Sequence, residues 1–180
     1  MAGGIFGRLR AMLFGPPEIR TLYVEEDLWG EVEVLPVANA EWCRAEFDKI
    51  AAFSGEHRAP DGAGWTDIYL RKPPPAPLAD LGIPLAPTLE ALGERLPRFD
   101  VVTSGSFYSP EPVAGACAFG PSPKTALIVI GNTDETIVKA LPVLADEDDG
   151  ATRLMVALEA LPSCGGLIVV DWVRRELIPF

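Results

Sequence analysis

The chain is poor in the residues that most often carry chemistry. Its 180 residues include one histidine, His57, and three cysteines, Cys43, Cys117 and Cys164. One imidazole and no C-x-x-C pair leave zinc sites without their ligands. An odd number of widely spaced cysteines excludes a disulfide framework and reads as free thiols in a reducing compartment, so a cytoplasmic location is expected. No loop carries the spaced acids of an EF-hand, and the acidic run DEDDG lacks the terminal bidentate glutamate. No serine sits in a G-x-S-x-G elbow. The stretch GPSPKT (residues 120–125) precedes a strand and lacks spaced glycines, whereas a phosphate-cradling loop follows a strand and opens a helix. Neither a metal nor a cofactor is expected.

Positive charge is scarce as well. Lysine and arginine number 15 against 26 acids, a net charge of −11. Such a field repels nucleic acid and anionic lipid and draws cationic partners. No apolar run reaches the length of a membrane-spanning helix. Arginine outnumbers lysine, and alanine and proline are frequent, a composition typical of GC-rich coding DNA such as that of many bacteria.

What is present is apolar material: 48% of the residues are hydrophobic, enough for a sizeable core. Residues 1–17 read as an amphipathic helix with Ile5, Phe6, Leu9, Met12 and Leu13 on one stripe and Gly15-Pro16-Pro17 at its end. That stripe packs on the protein's own body or docks on a partner; its two arginines make a poor membrane anchor. Residues 18–180 read as a single domain. TLYVEE (21–26) and EVEVLPV (31–37) alternate like the arms of a hairpin. Asn39 is placed to cap a helix over residues 40–53, with Trp42, Cys43, Phe47, Ile50 and Phe53 on one face and Glu46 intruding on it. WTDIYLR (65–71) reads as the next strand. Residues 72–88 hold six prolines and read as an extended surface crossing. Thr88 then caps a helix bearing Leu89, Leu92 and Leu96. FDVVTS, VAGACAF and TALIVIG are strands, and the last is apolar on both faces. Residues 132–141 read equally as helix or strand. Leu154, Met155, Leu158 and Leu161 mark another helix, and LIVVDW is the closing strand. The sum is α+β, or loosely α/β, with one mixed sheet of about six or seven strands and about three to five helices.

Two functional classes compete. The first is a small acidic cytosolic protein-binding protein, most concretely an inhibitor or immunity-type protein neutralising a basic toxin or enzyme. Its contacts would be Phe107 and Tyr108 in the loop TSGSFYSPEP and the acids Asp146, Glu147, Asp148 and Asp149. The second is an enzyme whose site is assembled without a linear motif, with His57, Asp171 and Cys164 as first suspects. Asp171 stands at the end of an apolar strand, but a strand-end carboxylate is catalytic only in company. Its sequence neighbours, Trp172, Arg174 and Arg175, point instead to a salt bridge or a turn cap. A peripheral accessory protein docked through the N-terminal helix is a third reading.

Overall fold

The structure, a computed structural model, describes residues 19–60, 62, 64–106, 108–145, 148–161 and 164–180, without the side chains of Asp148 and Asp149. The N-terminal helix expected over residues 1–17 lies outside the described residues. In chain order the elements are β1 (Thr21–Val24), β2 (Val32–Pro36), α1 (Ala40–Glu56), α2 (Leu85–Gly93), β3 (Arg98–Phe99), β4 (Val101–Ser106), β5 (Ser109–Pro112), β6 (Ala116–Ser122), β7 (Thr125–Gly131), β8 (Val138–Ala140), β9 (Val143–Ala145), α3 (Asp148–Glu159), β10 (Leu167–Asp171) and β11 (Glu176–Pro179). Short 3-10 turns occupy Leu28–Gly30, Val37–Asn39, Leu78–Leu81 and Cys164–Gly166.

Among the described residues eleven strands form three sheets, and not the one mixed sheet of about six or seven strands that the sequence led us to expect. β10 is the middle strand of an antiparallel sheet ordered β11-β10-β2. Because successive side chains leave opposite faces, its apolar run serves two cores. Ile168 and Val170 join Leu35 against Cys43 and Phe47 of α1, while Leu167 and Val169 join Val34 in the largest core. The second sheet is ordered β3-β6-β7-β8, with β9 also pairing β7. Leu127 and Val129 of β7 face the largest core, beside Leu85 and Leu92 of α2 and Leu154 and Leu158 of α3. Ala126 and Ile128 face the other way, onto Leu22, Val24 and Val102 of the third sheet, β1-β4-β5. β7 is thus buried on both sides, as its apolar sequence requires.

Several local expectations are corrected. The hairpin expected of residues 21–26 and 31–37 does not form: β1 runs parallel to β4, and β2 pairs with β10. The 3-10 turn between them is tied elsewhere, since Trp29 Nε1 donates to Ser104 Oγ at 2.8 Å and turns the chain into a different sheet. Asn39 precedes α1 but makes no side-chain cap; its amide instead exchanges two hydrogen bonds with the backbone of Ala76, at 2.8 and 3.0 Å. Thr88 lies inside α2, which starts at Leu85, and its hydroxyl donates back to Pro84 O at 2.7 Å. Residues 132–141 resolve into a turn and β8, because Asn132 Oδ1 accepts the Thr136 and Ile137 N–H groups and caps a turn where a helix would start. Within residues 72–88, Leu78, Ile83 and Leu85 are buried in the largest core. The segment 65–71 forms no strand beyond a single bridge between Arg58 and Trp65.

Candidate functional site

A cleft of about 600 Å³ opens where the first and third sheets approach β9 and the turn between β6 and β7. Alternation along β1 supplies one wall. Leu22 and Val24 point into the core, so Thr21, Tyr23 and the following Glu25 face the cleft. Leu28, Glu31 and Val32 come from the 3-10 turn and the start of β2, Val143 and Leu144 from β9, and Lys124 from the turn. Tyr23 is held by its hydroxyl, which donates to Gly105 O at 2.6 Å. The floor is therefore apolar and one rim acidic. Glu26 and Asp27 stand exposed beside Glu25. Among the described residues, the carboxylates of Glu25, Glu26, Asp27 and Glu31 make no ion pair and no hydrogen bond, whereas Lys124 has a partner of its own. Four like charges within seven residues repel one another, and a bound cation relieves that repulsion.

A second polar cluster lies around α1. Glu46 is buried on the apolar face and is bonded by Lys49 Nζ and by the Tyr69 hydroxyl, the latter at 2.8 Å. Burial alone would raise its pKa, but the Lys49 and Tyr69 hydrogen bonds outweigh burial and hold the carboxyl below its ordinary value. Glu33 Oε1 accepts from Arg71 at 3.1 Å and from the Trp172 indole at 2.8 Å. Arg71 also donates to Gly30 O at 2.8 Å and stacks over the Trp172 ring. Burial, with the Glu33 charge adding to it, pushes the Cys43 thiol up to about 11. These contacts are structural: each carboxylate is already satisfied.

The three suspects for catalysis are not brought together. Asp171 Oδ1 accepts the Arg174 N–H at 2.7 Å and caps the turn after β10. Cys164 opens the 3-10 turn that leads into β10, whereas Asp171 closes that strand. His57 closes α1, stacked on Phe53 with 4.1 Å between ring centroids. It lies about 15 Å along the helix from Phe47, which with Trp42 packs its ring against Trp172. Among the described residues, no group of three or more His, Cys, Asp and Glu side chains is placed to hold a metal. Tyr108 is 95% exposed at the tip of the β4–β5 hairpin. Phe107, Asp146 and Glu147 lie outside the described residues, and Asp148 and Asp149 open α3. Ala145, the residue before this acidic run, lines the cleft.

Sequence reasoning did not single out Glu25, Glu26, Asp27 and Glu31. The signal was available, because four acids in a stretch with no basic residue have no local partner. Among the described residues, no helix is long and apolar enough to cross a membrane. No family model, curated protein or solved structure matches this chain.

Proposed function

We propose that the protein is a small acidic binding protein of the cytoplasm that captures a basic protein, in the manner of an inhibitor or immunity protein against a cationic toxin or enzyme. The observation that carries this reading is the cleft bordered by unpaired carboxylates in a chain of net charge −11. A lysine or arginine side chain fits such a site, since its apolar stem can lie on Leu28, Val32, Val143 and Leu144 while its head meets Glu25 and Glu31. The acidic field steers a basic partner toward the rim, and the exposed Tyr108 ring offers an aromatic anchor.

The test compares wild-type protein with the double variant Glu25→Gln/Glu31→Gln as bait in host lysate, at low and at moderate salt, with the captured proteins read by mass spectrometry. A stoichiometric basic partner is expected with wild type. Added salt should slow its association far more than its dissociation, and the variant should bind at least tenfold more weakly. A partner that is not basic, or one indifferent to both salt and the variant, overturns the reading.

A further inference from the structure

Residues 65–71 have the composition of a strand, yet past the Arg58–Trp65 bridge and the Thr66 N–H bond to His57 O the structure gives them no partner strand. Tyr69 and Arg71 turn inward and are fixed to the body, Tyr69 by Glu46 and Arg71 by Glu33 and Gly30 O. Ile68, Leu70 and Lys72 turn outward, and Ile68 is 79% and Leu70 84% exposed. Side chains at a period of two, anchored on one face, hold this stretch extended. Further along, the two Asn39 hydrogen bonds clamp Ala76. Yet among the described residues, no backbone N–H or C=O from residue 69 to residue 72 makes a hydrogen bond. A segment of high β-propensity is thus held straight by its side chains while its backbone stays unpaired.

Two of the outer strands are blunted. β5 carries Pro110 and Pro112, and β11 carries Pro179, residues that cannot donate to an added strand. Residues 68–72 contain no proline; three follow at once, from Pro73 to Pro75, and would stop a pairing from spreading.

We propose that residues 69–72 are a docking edge completed by a β-strand of the basic partner, an addition that rests on the reading above as far as the partner's charge is concerned. Main-chain hydrogen bonds would supply affinity, and alternate apolar side chains of the incoming strand would cover Ile68 and Leu70. The charge pattern sets its polarity. At one end a cleft of about 510 Å³ is lined by Phe53, Trp65, Ile68 and Tyr69 together with Asp67. Trp65 is 59% exposed there, so an arginine or lysine finds an indole face and a carboxylate side by side. Lys72 faces out at the other end, where a basic residue would be repelled. The incoming strand therefore carries its positive charge next to Asp67. A second copy of this chain brings its own net charge of −11 and is the poorer occupant.

The experiment uses the full chain and two nine-residue peptides that alternate valine and threonine, with a single arginine at the first or the last position. Amide exchange and chemical shifts are followed by NMR. One peptide is expected to protect the alternate amides on the paired edge, those of Leu70 and Lys72, at least tenfold and to bind at least tenfold more tightly than its reversed counterpart. Leu70→Pro removes an N–H that bonds nothing in this structure, so the fold should survive while protection is lost. Leu70→Asp, at the same exposed position, serves if the proline variant unfolds. Peptide contacts confined to residues 21–32, sensitive to Glu25→Gln/Glu31→Gln and not to Leu70→Pro, would sink the docking edge and leave the acidic-capture reading standing. The absence of binding by either peptide overturns the docking edge alone. Protection that rises with protein concentration without peptide assigns the edge to a second copy and overturns the partner strand.

Discussion

The Trp172 indole donates its Nε1–H to Glu33 Oε1 at 2.8 Å, and the Arg71 guanidinium sharing that oxygen lies over the same indole, 3.9 Å from the ring centroid. One arginine therefore ties the extended segment to the β10 sheet by an ion pair, a stacking contact and a bond to Gly30 O. Arg71→Met should destabilise the protein by about 1–2 kcal/mol, and Arg71→Lys by nearly as much. A lysine cannot stack on the ring and reach both acceptors at once. Urea midpoints of the two variants check this; full rescue by lysine would mean that charge alone matters.

A pH dependence follows from Glu46. Its pKa in the folded protein lies below the ordinary value of 4.5: burial opposes the shift, and the bonds from Lys49 and Tyr69 cause it. A depressed carboxylate contributes stability that is present above its unfolded pKa and is lost as pH falls through its folded pKa. Glu46→Gln should therefore cost about 1–3 kcal/mol at pH 7. Its gap to wild type should close progressively below about pH 4.5, where the wild-type side chain itself protonates. Denaturation series between pH 7 and pH 3 read this out, and a gap constant over that range would show that the ionised pair contributes nothing.

Much of the architecture was legible where a residue's environment is set by its immediate neighbours. The two-sided burial of TALIVIG and the apolar face of α1 are properties of a few adjacent residues, and both are found. Pairing is not local. Whether β1 joins β2 or β4 depends on Trp29 reaching Ser104, 75 residues away, and no periodicity records that contact. β3, with two residues, and β9, with three, carry too little pattern to stand out as strands of their own, and the three residues of β8 leave 132–141 readable as helix or strand. The same holds for capping: Asn39 has the right chemistry for a helix start, but a backbone 37 residues distant claims its amide. Among site residues, the acid-rich surface was foreseen at residues 146–149, whereas the acids that line the cleft are Glu25 and Glu31.

The three thiols should separate by reactivity. Cys43 is buried and its pKa is about 11, so at pH 8 only about one molecule in a thousand carries the thiolate. Cys117 and Cys164 are half-buried. Iodoacetamide on the native protein, read by peptide mass spectrometry, should modify these two and leave Cys43 untouched until denaturant is added. Early labelling of Cys43 would mean that α1 opens readily from the β10 sheet.

Two glycines test the packing in opposite directions. In β6, a Cβ on Gly120 would lie 2.2 Å from Thr125 O and 2.6 Å from Ala126 Cα, both backbone atoms of the neighbouring β7. Backbone in a strand buried on both faces cannot yield without disturbing the two cores it joins. Gly120→Ala should therefore cost about 3 kcal/mol or more. Gly55, in the last turn of α1, has nothing within 4 Å of an added Cβ, and its φ is not in the left-handed region. There alanine lowers the conformational entropy of the unfolded chain, and Gly55→Ala should stabilise by about 0.5–1 kcal/mol. Urea midpoints of the pair decide it. If Gly120→Ala is tolerated, β6 and β7 do not approach as closely as the fold requires, and the division into two cores on either side of β7 falls with it.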